Sequence, residues 1–525
     1  MKLSVGKVFL VFFLLLLFLK TDYRLVDGIY CCKDDHDYFA HAETISIDFD
    51  FDYSNQFKGN EDSRFYYNGK SAPKAFFGSG LLASPFLFFG NLIDSYLMNS
   101  NMYNFKIIFY SFSPIIYLFF SLLIVNEINK LANSKFNPYL LYIFLLGSGI
   151  GYYAFERFSM SHVYEVFTIL LIIFFSMKFY TLNDINSNYA FLIPFSILIS
   201  ILTRWVNFYV ILIPLIVKLL FFQESIKLLK SKKFIFSTLL SITIFTVHTY
   251  LIYGVVTFNP EFVYGATGTV NKYLNSEESN INFILSNFNN FIKIFFGQEF
   301  GLIWFSPIIF FGFYIILKEL FNQKNIFKNK VVFIVGALCF LQILSLVLIW
   351  KAPGSSYAFR YALNLAPLSI LFLISSNSVN RVELTFFKYL SIFSIFSVLF
   401  FESTVGTQLS LELGYNSFGK FTRYIQPNYL SGYLNSLFDF EAYLKILAQS
   451  YLGFFLFAII LNFINVENLT NFLGQFSEAA YNDDLQNLFY KITEINFYKI
   501  IFSILVLYLL SYYLIKLTTI EKQSE

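Results

Sequence analysis

Phe76-Phe77-Gly78-Ser79-Gly80-Leu81-Leu82-Ala83-Ser84-Pro85-Phe86-Leu87-Phe88-Phe89-Gly90-Asn91-Leu92-Ile93 is apolar enough to enter a bilayer, and whether it crosses decides the side on which every later loop lies. Further apolar runs follow at 106–125, 139–155, 163–179, 190–202, 206–222, 234–256, 302–317, 331–350, 361–374, 386–401, 451–464 and 500–515. Each approaches the ~20 residues that span a ~30 Å hydrocarbon core. If 76–93 also crossed, Lys130 and Lys135 would face outwards and all later loops would invert. If it does not cross, Lys130, Lys135, Lys178, Lys227, Lys230, Lys232, Lys233, Lys318, Lys324, Lys328, Lys330, Arg381 and Lys388 share one side. The short loops of the other side then hold only Arg157, Arg204, Lys351 and Arg360. Lysine and arginine gather in cytoplasmic loops, so the second arrangement is the expected one. The segment, interrupted by Gly78, Gly80, Pro85 and Gly90, then reads as juxtamembrane or re-entrant on the outer face, with protein covering its backbone. Residues 8–19 form a first apolar run with no small-residue cleavage site after it, so they read as an uncleaved helix starting in the cytoplasm. The expected fold is an all-α polytopic membrane protein with about 13 transmembrane helices and juxtamembrane helices in its outer loops.

Composition agrees. Hydrophobic residues make up 57% of the 525 and charged residues 14%, with mean hydropathy +0.59. A soluble domain carries about 25% charged residues, enough to clothe a water-facing surface. The net charge of +3, with no basic patch among stacking aromatics, excludes a nucleic-acid partner. Cys31 and Cys32 are adjacent and Cys339 lies in an apolar run, which leaves neither a disulfide framework nor a zinc spacing. A P-loop, a dinucleotide fingerprint and a nucleophile elbow are absent from the sequence. The long outer stretches are 21–74, 257–300 and 402–450. Loops of that length in a compact protein are usually functional or disordered, and the aromatics and apolar helical fragments in these favour ordered outer-surface elements.

Acids collect at that outer face and are nearly missing from mid-span. Ion-coupled transport would place charge within the spans, so this distribution favours surface chemistry on a lipid-borne substrate. The densest polar stretch is Lys33-Asp34-Asp35-His36-Asp37-Tyr38-Phe39-Ala40-His41-Ala42-Glu43. Clustered carboxylates there offer a general base for an acceptor hydroxyl or amine, or else form a solvated acidic loop. Asp48, Asp50 and Asp52 alternate with Phe49 and Phe51, and an extended strand would set the three carboxylates on one face. That pattern admits a divalent metal but does not support one, and no metal ligands are assigned. Arg360, at an outer helix mouth, can clamp a phosphate or anchor at the interface. Arg204 beside Trp205 offers the same two roles. His162, with Ser159 and Ser161, opens a helix as a cap, a packed polar group or a substrate contact.

The single helix, the acid-rich outer loop and the many spans together resemble the GT-C superfamily of polyprenyl-phosphate-sugar-dependent glycosyltransferases. The protein mannosyltransferase and aminoarabinose transferase branches carry Asp-Glu-x-x-Tyr/Phe after the first helix. Asp34-Asp35-His36-Asp37-Tyr38 is similar to it, with Asp in place of Glu. Asp48 to Asn55, Gly78 to Phe86, Ser159 to His162, Gly301 to Pro307 and Phe359 to Tyr361 are similar, in order, to uncharacterised bacterial members. The resemblance implies Asp34 as catalytic acid position and Asp35 as its companion. Asp37, Tyr38, His162, Arg204 and Arg360 would bind substrate. It further implies a lipid-linked sugar donor rather than a bound cofactor, a lipid, glycan or protein acceptor, and an extracytoplasmic active site. Residues 1–402 would be the catalytic module, with 76–93 as its juxtamembrane wall, and 403–525 a variable part. The competing expectation is a transporter or a lipid or glycan flippase gated by the outer acids.

Overall fold

The structure, a computed structural model, describes residues 5–19, 33–57, 66–67, 70–97, 105–155, 157–223, 228–263, 291–297, 301–321, 328–350, 359–376, 378–398 and 451–476, with single positions beyond. Cys31, Cys32, most of the loop 257–300, all of 402–450 and, apart from single positions, the run 500–515 lie outside the described residues.

The described chain is almost wholly helical. It opens with α1 (Val5–Leu19), α2 (Lys33–Glu43), α3 (Gly78–Leu97) and α4 (Phe105–Leu131). One two-residue antiparallel pair, Tyr66–Tyr67 with Lys70–Ser71, lies between α2 and α3. Next come α5 (Pro138–Leu145), a π-turn, α6 (Gly151–Phe155), α7 (His162–Leu182) and α8 (Tyr189–Thr203). A 3-10 segment (Trp205–Leu212) leads into α9 (Ile213–Phe221), followed by α10 (Lys232–Tyr253). The later elements are α11 (Leu302–Phe305), α12 (Pro307–Phe321), α13 (Lys328–Trp350), a second 3-10 segment (Arg360–Leu365), α14 (Ala366–Ser375) and α15 (Arg381–Phe396).

Four of these stretches are long and apolar enough to cross a membrane: α4, Pro138–Phe155, α7 and α10. Shorter apolar helices accompany them, α8 and Trp205–Phe221 among them. The described residues therefore hold four helices of membrane-spanning length and hydropathy, fewer than the about 13 spans expected from sequence, some of which lie outside them. Pro138–Phe155 is kinked at Gly149, whose φ of 82° a side chain would resist. Ser306 closes the kink by donating to the Ser148 carbonyl (2.7 Å).

Segment 76–93 does not break at its glycines and proline; it lies within the continuous 20-residue α3. This helix runs antiparallel along the first half of α4, since Tyr117 donates to the Leu82 carbonyl while Asp94 caps Phe105 and Lys106. The glycines serve close approach. A Cβ on Gly80 would lie 2.5 Å from His41 Cβ, and one on Gly78 2.5 Å from the Leu202 carbonyl carbon. α3 can therefore wedge between α2 and the end of α8 only without side chains at these two positions.

The helix directions sort the charges into two faces. α7 and α10 are 21 and 22 residues long, which at 1.5 Å per residue is ~30 Å. His162, Arg204 and the Tyr253 end of α10 lie at one face. Asn188, Lys232, Lys233 and Lys130 lie at the opposite ends of the same helices. Lys318 also belongs there, bound to Glu383 at 2.7 Å beside the end of α14. The lysine segregation read from sequence is thus carried by the helix directions.

Candidate active site

Helix α2 carries the acids. Asp34 is its second residue, and its side chain lies outside the described residues. Asp35 is fully buried and pairs with Arg157 (3.3 Å), which stands in the short loop before α7. Asp37 Oδ2 accepts the Lys74 backbone N–H (3.1 Å), tying α2 to the segment that enters α3. Tyr38, on the same helix, is buried and close enough to Arg204 to interact electrostatically with it.

The strand expected through Asp48, Asp50 and Asp52 does not form. Residues Thr44–Asp48 continue α2 as a π-turn, and Phe49 closes it at a left-handed φ of 59°. The alternation is broken and the acids serve local turns instead. Asp48 Oδ2 accepts from Asn55 and Gln56, Asp50 from the Asp52 N–H and Asp52 from the Ser54 N–H. Short acids satisfying nearby backbone donors compete with strand pairing. No group of three or more His, Cys, Asp or Glu is set for a metal among the described residues.

His41 anchors this part of the face. Its Nδ1 lies 2.7 Å from the Tyr53 hydroxyl and its Nε2 2.7 Å from the Ala75 carbonyl, which also accepts from Tyr253 (2.7 Å). His248 of α10 interacts electrostatically with it, and Tyr53 and Tyr253 are the other titratable groups that face it. Burial lowers the His41 pKa from 6.5 to about 4, so the fold holds it neutral. The unfolded chain takes up a proton between those values and the folded one does not. Stability is therefore full above pH 6.5 and falls as pH drops towards 4, by about 3 kcal/mol in all. Thermal unfolding from pH 7 to 4.5 in detergent checks this, because His41→Gln should reduce that pH dependence relative to wild type.

At the mouth of α7 the other expected residues meet. Glu165, fully buried, accepts a hydrogen bond from His162 Nδ1 (2.9 Å) and one from Arg204 Nη1 (3.4 Å). Arg204 is delivered by a break in the chain. α8 ends at Thr203, Arg204 is extended (φ −160°, ψ 131°), and a 3-10 segment follows. Its guanidinium lies over the Tyr361 ring, 4.9 Å from the centroid. Arg360 opens the second 3-10 segment and lies over the same ring at 5.0 Å, also donating to the Tyr361 hydroxyl (3.1 Å). Cation–π contact keeps both charges on one aromatic shelf.

The two 3-10 segments are fastened together beneath that shelf. Asn364 donates to Asn207 Oδ1 (2.9 Å), Asn207 to the Ser200 carbonyl (3.0 Å) and Tyr209 to the Asn364 carbonyl (3.0 Å). Both asparagines are buried, so the bonds hold the arginine-bearing turns in register at a depth where water does not compete.

Thus Tyr38, His162, Arg204 and Arg360 converge, while Asp35 and Asp37 fix the acid-bearing helix to neighbouring backbone and loop. Sequence reasoning missed Glu165, Tyr361 and Arg157 as members. Glu165 was visible as His-x-x-Glu, a spacing that places both on one helix face. The pairing of Asn207 with Asn364 left no sequence signal. Within the convergence, Arg204 faces the Glu165 carboxylate and shares the Tyr361 ring with Arg360, and the Arg204 side chain is 12% exposed. The arrangement can bind an anion reached from the same face as α2.

No family model matches the chain, and no curated protein matches it. Among solved structures, the oligosaccharyltransferase of Archaeoglobus fulgidus in its apo form is similar, with TM-score 0.42 and 13% identity over 89% of this chain. The archaeal oligosaccharyltransferase from the same organism, in complex with an inhibitory peptide and a dolichol-phosphate, gives TM-score 0.38 and 13% identity over 82%. This chain spans 59% and 55% of the lengths of those two chains. The likeness is too distant to carry a fold family, an activity or a substrate across.

Proposed function

We propose that this chain is an integral membrane glycosyltransferase that moves a sugar from a polyprenyl-phosphate donor to an acceptor at the extracytoplasmic face. The observation that carries the reading is the convergence of Arg204 and Arg360 on Tyr361, beside Tyr38 of the acid-bearing α2. Two guanidiniums gathered on one aromatic ring suit a phosphate whose charge grows as it leaves. In the proposed step an acceptor oxygen or nitrogen attacks the sugar C1, and its proton passes to the Asp34 carboxylate. The C1–O bond to phosphate breaks, and the polyprenyl phosphate departs with that electron pair, inverting C1. Asp35, held by Arg157, sets the pitch of α2 and so the place of Asp34. α3 would wall the site on the outer side.

The test is transfer from a panel of polyprenyl-phosphate sugars by the purified full-length protein in lipid discs. Wild-type protein should transfer from at least one donor, and Asp34→Asn should lose at least ~100-fold while melting normally. Retained transfer in Asp34→Asn overturns the base assignment. Movement of a labelled solute across liposomes, without sugar transfer from any donor, overturns the enzyme reading.

A further inference from the structure

The end of the bundle opposite the arginine shelf carries a second built feature. Between the starts of α8 and α10 lies an open groove of about 490 Å³, lined by Asn188, Phe191, Leu192, Lys232, Lys233 and Phe236. Its walls are stapled together. Ser231 donates to the Ile185 carbonyl (2.7 Å) and Ser237 to the Phe191 carbonyl (2.6 Å), both across from α10 to the other wall. The floor is apolar and Phe236 is 62% exposed. Lys233 is held over the groove by Asn188 Oδ1 (2.6 Å), and Lys232 is exposed beside it.

This charge is placed against the local electrostatics. Lys232 and Lys233 are the first two residues of α10, where the helix end is already positive and cations cost stability. Neither is ion-paired with a described carboxylate. The nearby Asp184 accepts from the Asn186 N–H in its own turn (2.9 Å). The groove also sits ~30 Å along α10 from Tyr253, one hydrocarbon thickness from the other face, at the level of lipid head groups. An excess of positive charge above an apolar trough at that depth matches a molecule with an anionic head and a hydrocarbon tail.

We propose that this groove binds an acidic phospholipid, its phosphate on Lys232 and Lys233 and an acyl chain along Phe191, Leu192 and Phe236. The assignment does not rest on glycosyl transfer, and its test reads binding rather than activity. Full-length protein in neutral detergent is titrated with phosphatidylglycerol or phosphatidylcholine, with bound lipid counted by native mass spectrometry and thermal unfolding followed in parallel. Wild-type protein should retain phosphatidylglycerol in preference and melt higher with it. Lys232→Gln/Lys233→Gln should weaken that binding roughly tenfold or more. Lys130→Gln/Lys135→Gln, with the same charge change on the same face, should leave it intact. Phe236→Ala should weaken binding of the long-chain lipid. Equal retention of the two lipids overturns the proposal. So does equal weakening by the control pair, which would make the effect a property of the whole face. Displacement of the lipid by glycerol phosphate at similar concentration overturns it too, because the tail would then contribute nothing.

Discussion

Glu165→Gln should cost at least ~100-fold in sugar transfer and about 3 kcal/mol of stability. The substitution keeps shape and removes one charge. In the native site that carboxylate, fully buried, accepts from both His162 (2.9 Å) and Arg204 (3.4 Å). Without its charge, the repulsion between Arg204 and Arg360 across Tyr361 loses the offset that Glu165 gives Arg204. Both donors reach the same oxygen, Glu165 Oε2, and a neutral amide oxygen in its place is the weaker acceptor for each. The stability loss should appear as a lower unfolding temperature in detergent. The activity loss should exceed what that destabilisation explains at a temperature where the variant is fully folded. Glu165→Asp, which keeps the charge on a shorter arm, should fall between the two. Wild-type transfer and melting in Glu165→Gln would show that the carboxylate does not organise the arginines.

The second large effect is expected at the start of α2. Arg157→Met should destabilise the protein by about 3–5 kcal/mol, because it removes the guanidinium paired with a buried carboxylate. The Arg157 and Asp35 side chains are 7% and 1% exposed, so solvent cannot stand in for the lost guanidinium. Asp35→Asn should cost less, since an amide tolerates burial better than an unpaired charge. The double variant should be more stable than Arg157→Met alone. A double-mutant cycle on thermal unfolding isolates the coupling, and additive single effects would deny that the pair acts as a unit. Asp34 neighbours Asp35 on α2, so Arg157→Met should also lower transfer, whereas the paired replacement should recover part of it.

The acids of the outer loop show where sequence reading works and where it stops. That 33–43 is a polar element at the site face followed from composition and position, and the helix is there. That Asp35 would be buried against Arg157 did not follow, since nothing local marks a partner 122 positions away. The alternation of 48–52 was a period-two pattern, yet the chain there turns. Side-chain acceptors two residues from free backbone N–H groups won over strand pairing, and no strand pairs with this stretch among the described residues. Segment 76–93 was legible as apolar and broken by small residues. Only packing showed that its glycines admit His41 and the Leu202–Thr203 backbone rather than break the helix.

The sequence by itself determined that the chain is rich in apolar helices of membrane-spanning length, that many of its loop lysines gather at one end of them, and that Arg204 and Arg360 stand at the other. These are properties of composition and of one-dimensional spacing, because burial in lipid acts on each ~20-residue run almost independently of the others. Tertiary structure alone decided which of those polar residues meet. Arg204 and Arg360 are brought to one tyrosine by two 3-10 turns fastened through Asn207 and Asn364, and Glu165 is set between His162 and Arg204. Such contacts depend on how helices pack at long sequence separation, where ordering one pair is offset only when the whole bundle forms.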